Sequence, residues 1–199
     1  MVATAIKEKE IKAQTNGNAS KRITWEAFEK KYLSREDFYT YEWVNGMVEK
    51  TKRSMDTKQF AIEDNLTTFF NRLKFQGKVE GQLITEGDMF FKGNHRRPDM
   101  AYLTKKQIAN MAKGAKDDTA QFVIEVISTT DEMNRVYEKM QDYEKADVKV
   151  IWHVFAKLQE VHVYHGRHST IFRGDEMVTA APVLPDFEMK VSDIFIIHE

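Results

Sequence analysis

Apolar residues change their spacing several times along the chain, and each change marks an element. Residues 1–22 are polar, lysine-rich and end near Asn16, Gly17, Asn18 and Ser20. They lack the apolar surface that offsets the entropy of ordering, so a flexible tail is expected there and a single domain over 23–199. Thr24 is placed to cap a short helix through Trp25, Phe28 and Leu33. Two β-prone runs then flank Asn45-Gly46, the sequence signal of a tight hairpin. From about 55 to 75, Ile62, Leu66, Phe69, Phe70 and Leu73 recur at helical spacing. That stripe predicts an amphipathic helix.

Strand patterns follow at 79–85, 87–92 and 99–103, with Gly93-Asn94 as the turn before the third. A short helix is expected over 104–111 and a strand over 122–127. Ser128, Thr129, Thr130 and Asp131 offer caps for a helix reaching Ala146, with Met133, Val136, Tyr137, Met140 and Tyr143 as its apolar stripe. The segments VKVIWHVFA, QEVHVYH and HSTIFRG read as three further strands. No internal repeat interrupts this order. Helix, hairpin, long helix, strands, helix and strands predict an α/β or α+β fold, a mixed central sheet flanked by helices.

Composition narrows the chemistry. Lys and Arg number 30 against 31 Asp and Glu, so any nucleic-acid contact rests on a local patch and not on the net charge of −1. The absence of cysteine removes disulfides, thiolate nucleophiles and cysteine-ligated metals. No signal peptide or apolar run of about 18 residues is present, which leads us to expect a cytoplasmic protein without a membrane segment. His153, His162, His165 and His168 cluster late in the chain, but His162 and His165 fall on opposite strand faces. Strand-surface histidines are therefore expected in place of a zinc chelate. Tyr39, Tyr41 and Trp43 share a hairpin face and are read as core packing in preference to a base-stacking platform.

One residue breaks the pattern. In QFVIEVIST, Glu125 sits at the centre of a run composed like a strand buried on both faces. Strand alternation puts it on a face with Val123 and Ile127, and puts Asp99 with Ala101 and Leu103. If the two strands pair, two carboxylates meet, and such a pair requires a proton or a cation between them. A purely structural ion pair at Glu125 and a turn role for Asp99 are the competing readings.

The motifs RPDMAYL, FVIEVIS, KMQDYEKADVKVIWHV and LPDFEMKVSDIF, with the hairpin YEWVNGMVE, together resemble the Uma-type family described as "putative bacterial restriction endonucleases". The resemblance runs in order from Thr24 to Phe195 and implies the PD-(D/E)XK nuclease fold. It implies Asp99 and Glu125 as ligands of Mg²⁺ or Mn²⁺, and DNA as substrate. Ile127 stands where that superfamily carries its lysine. The resemblance supplies the lysine from the following helix instead, at Lys139, which helical spacing puts beside Val136 and Tyr143. Glu42 matches an acidic hairpin position and completes the expected catalytic set. Lys92, His95, Arg96 and Arg97, just ahead of Asp99, form a candidate phosphate-contacting cluster. A homodimer is consistent with cutting both strands. The alternative is a catalytically inactive nuclease-fold module that binds nucleic acid or serves a structural role.

Overall fold

A computed structural model describes residues 22–52, 57–115, 119–129 and 131–198; the expected tail lies outside them, apart from Arg22. Helix α1 (Trp25–Phe28) begins where Thr24 Oγ1 accepts the Ala27 N–H, and it widens into a π-turn over Glu29–Leu33. Strands β1 (Tyr39–Val44) and β2 (Met47–Lys52) form the expected hairpin. Its turn residues, Asn45 and Gly46, both have positive φ, as a two-residue turn matching strand twist demands. The long amphipathic helix is α2 (Thr57–Phe75), with Ile62, Leu66, Phe70 and Leu73 buried.

The middle of the chain differs in detail from its pattern. Strands β3 (Gln82–Thr85), β4 (Met89–Phe91), β5 (Asn94–Arg96) and β6 (Met100–Leu103) replace the three expected. The turn falls at Lys92-Gly93, both at positive φ, and Asn94 opens β5. Trp43 pairs with His95, so β5 joins the hairpin in a four-stranded sheet ordered β2-β1-β5-β4. Helix α3 (Lys105–Ala112) starts at Thr104 with a reciprocal capping box to Gln107.

Strands β7 (Phe122–Ile127), β8 (Val150–Phe155), β9 (Glu160–His165) and β10 (His168–Arg173) complete a six-stranded sheet ordered β10-β9-β8-β7-β6-β3. Only the β7 and β8 pairing is parallel, and the crossover between them is α4 (Met133–Lys145). That helix carries no side-chain cap: Asp131 Oδ2 accepts the Ser128 N–H instead, and Thr130 lies outside the described residues. Only the C-terminal half of its stripe is buried, through Met140 and Tyr143, while Met133 and Tyr137 are exposed. The end of the chain adds a hairpin that was not expected, β11 (Met177–Ala180) with β12 (Leu184–Lys190), before α5 (Val191–Ile194).

Each face of the six-stranded sheet has its own core. On one, Phe122, Ile124, Val126 and Trp152 pack with α2 and with Phe187 of β12. On the other, Ala101, Val123 and Ile151 pack with Met140 and Tyr143 of α4. The second face carries Glu125. It also carries His153, aligned with Glu125 across the parallel pair and buried, which corrects the expectation of a surface histidine. The aromatic hairpin face packs inward: Tyr41 is buried, and Trp43 Nε1 donates to the Ile23 carbonyl.

Candidate active site

The site begins with strand register. Antiparallel β6 and β7 pair Met100 with Ile124, so the next step outward sets Asp99 beside Glu125. Asp99 Oδ2 accepts the Val126 N–H at 2.6 Å, which locks the two strand ends together. Glu125 is 6% exposed, and both of its oxygens are engaged by α4. Lys139 Nζ donates to Oε2 at 2.9 Å, and the Tyr143 hydroxyl donates to Oε1 at 2.5 Å. The two donors are four residues apart, one helical turn on the face that covers the sheet. Lys139 Nζ also donates to the Arg97 carbonyl at 2.8 Å and lies 3.7 Å from Glu42 Oε1. A glutamate is tolerated at the centre of an apolar strand because α4 brings it an ammonium and a phenol.

Glu42 on β1 joins the group from the smaller sheet. Its Oε1 accepts the Arg97 N–H at 2.7 Å, and its Oε2 accepts from Arg96 Nη1 at 3.0 Å. Arg96 is buried and reaches three acids: Glu42, Glu49 at 2.6 Å and Asp142 of α4 at 2.7 Å. Of the expected phosphate-contacting run, then, two members are interior. His95 is fully buried against Trp25, Phe28 and Phe90, with Nε2 3.0 Å from Asp88. Arg97 stays at the cavity wall, its guanidinium donating to the Glu86 carbonyl. Lys92 is exposed at the β4–β5 turn, away from the cavity lining. A single exposed cluster of all four does not form, because β5 turns His95 and Arg96 inward.

Asp99, Glu125, Lys139 and Glu42 line one open cavity of about 400 Å³ between the hairpin, α2 and the start of α4. Ile127 lines it as well, and the ammonium enters from the helix. Carboxylates outnumber cations in this lining. Burial, and next the Glu125 charge, holds the Asp99 carboxyl well above its usual range. Burial also raises Glu125, against the pull of Lys139 and the Tyr143 hydrogen bond. Burial opposes the Lys139 charge, but Glu125, Glu42 and Asp99 outweigh it and raise its pKa. For Glu42, Lys139 and Arg96 overcome burial and hold the carboxyl low.

Two carboxylates held above their usual range, buried Glu125 and half-buried Asp99, side by side and facing a cavity, are the donor set that a hard divalent cation stabilises. Among the described residues no three His, Asp or Glu side chains group into a fuller cage. Mg²⁺ commonly takes one or two carboxylates and completes its shell with water and phosphate oxygens, so Asp99 and Glu125 fit it. The pattern of spacings missed Tyr143 as a partner of Glu125, although the i, i+4 relation to Lys139 was present. It also missed Glu49 and Asp142, which no local signal connects to Arg96.

An acid just ahead of β6 and another inside neighbouring β7, with a lysine laid over them by the crossover helix on a mixed sheet, define a restriction-endonuclease-like nuclease fold. The chain belongs to the Uma2 family, described as "Putative restriction endonuclease", whose family model matches residues 25–192. It is similar to a solved structure from Anabaena variabilis ATCC 29413, described as a "putative nuclease belonging to DUF820". The two are 18% identical, with a TM-score of 0.72 over 87% of this chain and 97% of the other. No curated protein matches the chain. No helix among the described residues is long and apolar enough to cross a membrane.

Proposed function

We propose that this protein is a metal-dependent endonuclease that hydrolyses phosphodiester bonds in DNA, with residues 23–199 as its one catalytic domain. The observation that carries this reading is the convergence of Asp99, Glu125 and Lys139 on one open cavity. Asp99 and Glu125 would hold Mg²⁺ or Mn²⁺. When bound, the metal supplies a Lewis acid for a phosphoryl oxygen and lowers the pKa of a water. Lys139 stays charged beside them and orients the attacking water or stabilises negative charge on the phosphoryl group. Glu42 holds Lys139 over the site and draws the Arg97 backbone to its wall.

The DNA backbone meets the cavity at its rim. Arg97 lies on the wall, and Lys52 at the end of β2 and Arg135 in the first turn of α4 are exposed lining residues. These cations replace the interior His95 and Arg96 as phosphate contacts. The protein acts in the cytoplasm, and as a homodimer where both strands are cut. Ile127 favours a second reading, an inactive module of the same fold that binds nucleic acid without turnover.

A calorimetric Mn²⁺ titration of the wild type beside folded Asp99→Asn and Glu125→Gln tests the first reading without needing a substrate. Binding that both substitutions abolish supports it. Heat indistinguishable between wild type and variants overturns the metal mechanism in favour of the inactive module.

A further inference from the structure

We infer that Tyr143 is a positioning residue of the metal site, fixing the plane and rotamer of Glu125 through the hydrogen bond to Oε1. Its ring has an ordinary structural role: it packs edge-on against Phe91, with centroids 4.6 Å apart, in the core between α4 and the sheet. A phenylalanine would fill that space equally well. The hydroxyl is the part that packing does not explain, since a buried O–H is costly unless it finds an acceptor. Its acceptor is one oxygen of the carboxylate at the centre of the site, at 2.5 Å.

The geometry of α4 gives this bond its meaning. Lys139 holds Oε2 at 2.9 Å while Tyr143 holds Oε1, so one rigid helical turn grips both oxygens of Glu125. Lys139 alone leaves a carboxylate free to rotate about its last bond, because an ammonium is a point charge on a flexible stem. The phenol has no such freedom: its ring is locked by Phe91 and the sheet, so its oxygen is a fixed point. Tyr143 is fully buried, beyond the reach of substrate, and acts only through Glu125. Hydrogen bonds to ligating carboxylates orient them, and losing one typically weakens metal affinity by about 10- to 100-fold.

The inference rests on the proposed metal site, and the test separates failure of one from failure of the other. Mn²⁺ titration calorimetry is run on wild type, Tyr143→Phe and Phe70→Leu, with thermal unfolding of each. The expected result is a loss of about tenfold or more in Mn²⁺ affinity for Tyr143→Phe. Phe70→Leu, in the core on the other face of the sheet and out of contact with Tyr143, lowers the unfolding temperature while its Mn²⁺ affinity stays near wild type. A purely structural Tyr143 gives the opposite pattern: Tyr143→Phe changes only the unfolding temperature, and that outcome overturns the inference while leaving the metal site standing. No Mn²⁺ binding by the wild type removes both. p-Aminophenylalanine at position 143 keeps a weaker donor in place and is expected to bind Mn²⁺ with intermediate affinity. If Tyr143→Phe does not fold, that variant decides, and wild-type affinity in it overturns the assignment.

Discussion

Asp99 is held by one short hydrogen bond from the Val126 N–H, and burial together with the Glu125 charge raises its pKa. A raised folded pKa means that the folded state prefers the protonated acid. The group's contribution to stability is complete below its unfolded value and is lost as pH rises through the folded one. Asp99→Asn keeps the acceptor and removes the charge. It should therefore raise stability near neutral pH by about 1 kcal/mol, or about 2–4 °C in Tm, while abolishing Mn²⁺ binding. The gain should shrink as pH is lowered toward 4, which urea unfolding at several pH values measures. His153 has the opposite sign. Burial, with His162 and Lys139 nearby, lowers its pKa to about 4 from the ordinary 6.5. Its stabilisation is complete above 6.5 and is lost as pH falls toward 4, a term on the order of 3 kcal/mol. His153→Phe should flatten the acid limb of the stability curve within that window, and unchanged slopes would contradict the assignment. Glu125 stood out in the sequence because an acid inside a β-branched run is anomalous. His153 carried no such mark, since a histidine suits either face of a strand.

At the scale of elements, Arg96 joins β5, β1, β2 and α4 through Glu42, Glu49 and Asp142. Removing the cation takes the shared partner from buried Asp142 and from half-buried Glu42 and Glu49, and breaking such a buried pair typically costs about 3–5 kcal/mol. Arg96→Met should lower the urea midpoint accordingly and loosen Glu42 from the site; a change under about 1 kcal/mol would show that the network is not a structural tie. The sequence suggested a solvent-facing Arg96 because Lys92 to Arg97 looks like a charged loop. A strand of three residues is too short for alternation to declare itself, and β5 takes its identity from pairing with β1 and β4. The terminal β11–β12 hairpin was overlooked despite inward Val178, Phe187 and Met189, because prolines at 182 and 185 interrupt the run. By contrast α2, α3 and the β1–β2 hairpin follow local rules of stripe, cap and turn, and were legible.

Over the whole molecule, the acid-rich cavity opens between the hairpin and α4, and the exposed cations that border it come from both walls. Lys52→Ala and Arg135→Ala should each weaken binding of a fluorescein-labelled DNA duplex in EDTA and reduce the salt slope by about 1. Lys92→Ala, outside the cavity, should leave the slope unchanged. Anisotropy titrations between 50 and 200 mM salt, the range over which counterion release is read, provide the check. Equal slopes in all three variants would place the DNA path elsewhere.

The sequence by itself determined the order of the elements apart from β5 and the β11–β12 hairpin, the hairpin turn at Asn45-Gly46, the helix stripes, and the anomaly of Glu125 inside one apolar strand and Asp99 just ahead of another. These follow from steric preference and periodicity, which act over a few neighbouring residues. Only the tertiary structure decided which strands became neighbours, that β5 turned Arg96 inward, and that α4 lay across the sheet with Lys139 and Tyr143 over Glu125. Those outcomes depend on register and packing between segments far apart in the chain. Glu42 and Arg97, 55 residues apart, meet through a hydrogen bond that no local pattern encodes.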